Sequence, residues 1–298
     1  MRDYMAKSWT GPIVDNHFHL NRNGRFLDAA ADFSRVGGTG LVLVHCPNFA
    51  SPPNGFEAHR ESYLDTISMA ESVQGKFGLE MRVVLGPHPA AFAHELEKAL
   101  HSQDGEAQEY AISNYWDSIE AALELVKQGR ANAIGEVGRP HWKVSDEVWD
   151  LSNQLLKKTM KIANENNVSL QLHVEGESDE TYPELALFAD QVGLDRSKLI
   201  RHYAPANVSD KNTHGIIPSV LCGKGSVEEI ITSHDSNSTG FFMETDYMDD
   251  LKRPGAVLGP KTVPKRVKQL FEMGISEEIL YSSHQDLLVK AYGQPLEF

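Results

Sequence analysis

His17 and His19 stand one residue apart in the run Ile13-Val14-Asp15-Asn16-His17-Phe18-His19-Leu20. Successive side chains of a strand alternate faces, so histidines at this spacing point the same way. Two converging imidazoles make half of a metal site, although a half-buried strand with two surface histidines shows the same pattern. Four further apolar runs close on ligand-type residues: Ala133-Ile134-Gly135-Glu136, Leu170-Gln171-Leu172-His173, Leu199-Ile200-Arg201-His202 and Phe242-Met243-Glu244-Thr245-Asp246. An unpaired charge in such apolar surroundings is costly, so Glu136 and Asp246 require compensation, which a dication supplies directly. Six candidate donors exceed the needs of one tetrahedral zinc, and the expectation is two divalent ions sharing Glu136. Imidazole with carboxylate suits zinc, manganese, iron or nickel better than calcium, with magnesium a further candidate. Glu244, two residues before Asp246, either supports the site or pairs with a neighbouring base.

The elements that position these residues alternate along the chain. Strands are expected at 13–20, 41–46, 81–85, 131–137, 168–173, 198–203, 216–222 and 240–245. Helical stretches fall at 26–36, 57–73, 145–164, 263–273 and 276–292, with another carrying Leu185, Phe188 and Val192. From Ile112 the spacing of Ile112, Trp116, Ile119, Leu123 and Val126 marks a buried helix face. Between Gly86-Pro87-His88-Pro89 and that helix a longer connection is expected, polar over 102–108. Leu41-Val42-Leu43-Val44 is apolar on both faces, as in a parallel sheet covered by helices. Together these predict a (β/α)8 TIM barrel, a single domain over residues 1–298, with active residues at the C-terminal ends of its strands. An open doubly wound sheet is the alternative, and it explains no ring of strand-end ligands. Residues 1–12, with Trp9, read as an arm over the barrel base. Gly223-Lys224-Gly225-Ser226 with Glu229 reads first as a turn with a capping box and second as a phosphate cradle.

Composition narrows the class. A hydrophobic content of 41% supports a large core, yet no apolar run approaches the roughly 18 to 20 residues that cross a bilayer. With no leader-like N-terminal segment, a cytoplasmic protein without membrane contact is expected. Two cysteines, Cys46 and Cys222, exclude a disulfide framework and read as small buried residues. A formal charge of −14 leaves no electrostatic footprint for sequence-blind binding of nucleic acid.

In order and spacing, Asp15-Asn16-His17-Phe18-His19-Leu20, Gly86-Pro87-His88-Pro89, Ala133-Ile134-Gly135-Glu136-Val137-Gly138 and Met243-Glu244-Thr245-Asp246 resemble the motif series of the TatD-type metal-dependent hydrolases, within the amidohydrolase superfamily. The resemblance implies that His17, His19 and Asp246 hold one ion, that Glu136 bridges, and that His173 and His202 hold the other. It also implies that Asp246 lies beside the attacking water, where a carboxylate is needed to take the proton, and that His88 contacts substrate. Three places depart from the family pattern. Arg139-Pro140-His141-Trp142 stands where nuclease-type members have Leu-Asp, Glu175 where an arginine is common, and Tyr203-Ala204-Pro205 where Phe-Ser-Gly is usual. A glutamate for an arginine beside the metals disfavours a polyanion, while Arg139 either restores a positive charge or pairs with an acidic loop. Arg139, His141 and Tyr203 join His88 as expected substrate contacts. The expected function is hydrolysis of an ester-type bond in a small molecule, phosphoester first. The alternatives are a DNA exonuclease, a carboxylic ester or amide hydrolase, and a metal- or ligand-binding barrel without turnover.

Overall fold

Strands buried on both faces persist only in a sheet covered on both sides, and the computed structural model builds such a sheet from residues 8–102, 105–176, 178–235 and 237–298. Its strands are β1 (Val14–Phe18), β2 (Gly40–Val44), β3 (Glu80–Leu85), β4 (Ala133–Gly138), β5 (Leu170–His173), β6 (Leu199–Ala204), β7 (Ile217–Leu221) and β8 (Phe242–Glu244). They pair in parallel in chain order, as a (β/α)8 TIM barrel requires. Around them lie α1 (Leu27–Arg35), α2 (Phe56–Phe77), α3 (Pro89–Ser102), α4 (Gly105–Lys127), α5 (Asp146–Asn166), α6 (Thr181–Val192), α7 (Asp210–Thr213), α8 (Ser226–Ser233), α9 (Thr262–Glu272), α10 (Glu277–Tyr281) and α11 (Leu287–Tyr292). Among the described residues, no helix is long and apolar enough to cross a membrane.

The two ends of the sheet meet through few bonds. Phe18 bridges Tyr247, and the His19 N–H donates to the Tyr247 carbonyl at 3.0 Å. The Asp15 carboxylate accepts the Thr245 N–H at 3.0 Å and the Thr245 hydroxyl at 2.7 Å, so a fully buried acid ties β1 to the end of β8. Burial pushes this carboxyl up to about 8. At the opposite end the C-terminal segment covers the strand starts. His284 Nδ1 accepts the Val14 N–H at 3.1 Å, and Leu296 forms an antiparallel bridge with Met81. Trp9 is buried against Phe271 and Tyr281, while the arm's first seven residues lie outside the described ones.

Three local expectations need correction. The connection after Gly86-Pro87-His88 is a helix, α3, with Phe92, Leu96 and Ala99 buried at spacings of four and three. Pro89 opens it, because a proline's missing N–H and fixed φ suit the first helical turn. The following α4 starts at Gly105, so the polar stretch 102–108 lies mostly in helices, with 103 and 104 outside the described residues. Its most buried face is Ala111, Tyr115, Ile119 and Ala122, and Ile112, Trp116, Leu123 and Val126 flank it half-buried. The capping box at Ser226 does not form. Gly225 is the N-cap, in the left-handed region at φ 84°, and the Ser226 hydroxyl donates to the Gly223 carbonyl at 2.9 Å. Ser145, by contrast, caps α5 as its sequence implies, accepting the Val148 N–H at 3.3 Å.

Pairing is interrupted at three places, between Asp15 and Phe18, between Ile134 and Val137, and between Arg201 and Ala204. Each interval contains a candidate ligand: His17, Glu136 and His202. Irregularities of this kind re-aim side chains, and here they fall where the side chains must converge. Replacement of Asp15 by alanine removes the acceptor of both Thr245 donors, and should destabilise the metal-free protein by at least about 2 kcal/mol in urea unfolding. A change within about 0.5 kcal/mol would show that the β1–β8 closure does not depend on this carboxylate.

Candidate metal centre

At the C-terminal ends of β1, β4 and β8, four donor atoms face one another. His17 Nε2 and His19 Nε2 are 3.0 Å apart, and Glu136 Oε1 lies 3.3 Å from each. Asp246 Oδ1 is 3.5 Å from His19 Nε2 and 3.8 Å from His17 Nε2. Bonds of about 2.0–2.1 Å to a tetrahedral ion set its ligand atoms about 3.3 Å apart, so these spacings suit donors around one centre. The other Glu136 oxygen, Oε2, is 2.6 Å from His173 Nδ1, 3.5 Å from His202 Nε2 and 3.7 Å from His88 Nε2. Among the described residues, the groups able to hold an ion are His17, His19 and Glu136; His17, His202 and Asp246; and His88, Glu136 and His173.

The surroundings hold these rings in set orientations. His19 Nδ1 lies 2.9 Å from the Val44 carbonyl, which can only accept, so Nδ1 carries a proton. His202 Nδ1 lies 2.9 Å from Glu244 Oε1, and the same carboxylate accepts the Tyr203 N–H at 2.7 Å and the Ser219 hydroxyl. Glu244, fully buried and pushed up to about 8 by burial, therefore braces His202. Asp246 adopts φ 47°, a left-handed conformation that aspartate tolerates better than most residues. Gly138 admits β5: a Cβ there would stand 1.9 Å from the His173 carbonyl oxygen.

The electrostatics of the cluster fit a cation. Glu136 Oε1 is buried with no hydrogen-bond partner among the described residues. Burial pushes the Glu136 carboxyl up, but His88, His17 and His202 around it outweigh this and hold it well below the usual range. Burial likewise opposes charge on His19, yet Asp246 and Glu136 raise it well above an ordinary imidazole. Two buried carboxylates thus draw a proton onto His19, the place a dication would take. Burial pushes His202 down to about 4 and also lowers His17, which favours the neutral rings that ligate metals.

The expected substrate contacts separate into two groups. His88, His141 and Tyr203 stand at the cluster. The Ala90 N–H donates to His88 Nδ1 at 3.1 Å, so Nε2 bears the proton and faces Glu136 as a donor. His141 Nδ1 lies 2.7 Å from His173 Nε2, and the Tyr203 side chain, 43% exposed, packs edge-on to His202. Arg139 is not brought to the cluster. Its guanidinium is 1% exposed, pairs doubly with Glu175, reaches Glu184 at 2.5 Å and Asn153 at 3.0 Å, and stacks on Trp149. The acidic-loop alternative therefore describes it. The same pairing corrects the expected repulsion by Glu175, because Arg139 neutralises that carboxylate. Sequence reasoning passed over Asp15, which lies inside the first motif but showed no partner until Thr245 was placed beside it.

Histidines and carboxylates gathered at the C-terminal ends of parallel strands stand on the face where barrels of this type carry their active sites. The family model of TatD-related DNases matches residues 14–293. An uncharacterized protein of Methanocaldococcus jannaschii is 32% identical over 289 residues, covering 96% of this chain and 97% of the relative. The chain belongs to the TatD-related DNase family. Among solved structures, a TatD homologue from Escherichia coli matches with a TM-score of 0.61 at 15% identity, over 95% of this chain and 98% of that one. The TatD-like protein of Archaeoglobus fulgidus gives a TM-score of 0.58 at 13% identity, over 92% and 97%. Likenesses at this identity concern the fold.

The Arg139–Glu175 pair carries a prediction about stability. Glu175→Ala leaves a buried guanidinium with Glu184 and Asn153 alone, and should cost about 3 kcal/mol in urea unfolding. A loss below about 0.5 kcal/mol would mean that those two neighbours suffice.

Proposed function

We propose that this protein is a metal-dependent hydrolase with two divalent ions, one held by His17, His19 and Asp246 and one by His173 and His202, with Glu136 shared between them. The observation that carries this reading is the placement of Glu136, whose two oxygens face different sets of histidines. Bound there, dications would polarise a scissile ester and lower the pKa of an attacking water. The roles left to the chain follow from its contacts. Val44 and Glu244 hold the Nδ1 sides of His19 and His202, leaving the Nε2 sides to ligate. In the ion-free site burial pushes the Asp246 carboxyl up, but His19, His202 and His17 beside it prevail and lower it, so it is ionised at neutral pH, the form able to accept the water's proton. His88, with Nε2–H at the edge of the cluster, is placed to donate to a substrate oxygen.

The substrate we favour is a small ester, phosphoester first, with carboxylic esters and amides open to the same chemistry. A cleft of about 730 Å³ beside His19 is lined by Arg22, Lys252 and Arg253. Arg22 pairs with Asp65 at 2.6 Å and Arg253 with Asp250 at 2.8 Å, which leaves little positive charge for a polynucleotide. The second reading, a DNA exonuclease, draws on the description of the family itself. A barrel that binds metal without turnover would use Asp246 as a ligand alone and would hydrolyse none of these esters.

Chelator-stripped protein reloaded with zinc or manganese should carry close to two ions, and should hydrolyse small esters faster than single- or double-stranded DNA. Asp246→Asn should lower turnover by ~10²–10⁴ while metal content changes much less. Wild-type protein that takes up no specific ion would sink this reading, and efficient metal-dependent degradation of DNA would install the exonuclease in its place.

A further inference from the structure

The residues that depart from the family pattern after β4 and β5 are not scattered; they build one support around His173. The Arg139 N–H donates to the His173 carbonyl at 3.0 Å, and the Arg139 guanidinium grips Glu175, two residues further on. The loops following the two strands are thereby tied together by backbone and side chain. Pro140 limits the backbone between this tie and His141. His141 packs edge-on to Trp142 at 5.3 Å, and Trp142 stacks at 4.9 Å on His94 of α3. Held in this way, His141 places Nδ1 at 2.7 Å from His173 Nε2, while the other nitrogen of that ring, Nδ1, points to Glu136 Oε2 at 2.6 Å.

We propose that His141 is a positioning residue for His173: without an ion the His173 Nδ1–H donates to the Glu136 carboxylate, and where an ion takes that proton's place His141 accepts the Nε2–H, so that Nδ1 is the nitrogen that ligates beside Glu136. The inference rests on the two-ion reading above. A neutral imidazole carries one proton, so an acceptor fixed at Nε2 leaves Nδ1 as the lone-pair nitrogen. Partners of this kind orient a ligating histidine and raise its basicity, and losing one typically costs about 10–100-fold in metal affinity. Glu244 does the same for His202 from inside the barrel, whereas His141 acts from an exposed loop. This account gives Arg139 and Glu175 a common purpose: their ion pair holds the loop from which His141 reaches His173.

The test is zinc binding by the whole protein, measured by competition with a chromophoric chelator, in wild type, His141→Phe and His141→Asn. Phenylalanine keeps a ring but has no acceptor, and asparagine returns a carbonyl oxygen close to the Nδ1 position. His141→Phe should weaken one of the two ions by about 10–100-fold and leave the other unchanged, and His141→Asn should recover most of the loss. If wild type holds two ions and His141→Phe holds both with equal affinity, the inference fails while the two-ion reading stands. Equal loss in both variants would also overturn it, since packing rather than an acceptor would then be at work. A wild type that binds no zinc refutes the reading and the inference together.

Discussion

Glu136 is a carboxylate 1% exposed at the end of a barrel strand, and most features of this site follow from the need to compensate it. Leaving such a group charged and unpaired in an apolar interior is prohibitive. Its neighbours meet that need from two directions, with His17 and His19 at one oxygen and His173, His202 and His88 at the other. The backbone is shaped around the same point. Pairing between β4 and β5 breaks across Gly135 and Glu136, and Gly138 lets His173 approach closer than any side chain would permit.

Around that centre the supports are layered by depth. Val44 and Glu244 orient His19 and His202 within the barrel, and Asp15 joins the first and last strands directly beneath the candidate ligands they carry. Outside the barrel, Arg139, Glu175 and His141 form a separate brace at His173. The deep supports use buried hydrogen bonds whose loss should be felt as instability, whereas the outer brace ends on an exposed ring whose loss should be felt at His173 alone.

The architecture was legible because strand and helix periods are local, and the chain spells eight apolar runs between amphipathic stretches. The convergence of His17 and His19 was legible for the same reason: alternation carried the two rings to one place despite a pairing break between them. The donors on the other strands could be nominated from their positions at the ends of apolar runs. What stayed hidden is non-local. Arg139 and Glu175 lie 36 residues apart, and no spacing rule joins a loop after one strand to a loop after the next. Glu175 alone looked like a lost phosphate contact and Arg139 like either a restored charge or the partner of an acidic loop that the sequence did not identify; together they are an ion pair. Helix α3 was hidden for a different reason, since Pro87 and Pro89 suggest a loop although Pro89 begins the helix. The role of Asp15 required knowing which strands close the barrel, whereas Glu244 could be named as a support for the site and lacked only its partner, His202.

The central claim is that Glu136 sits between two cations. A crystal structure of the zinc-loaded protein, with anomalous differences measured on both sides of the zinc edge, tests it most directly. Two anomalous peaks are predicted, one among His17, His19 and Asp246 and one beside His173 and His202, with a Glu136 oxygen on each. A fully loaded crystal in which no ion touches Glu136, or in which the ions bind away from these histidines, would contradict the account.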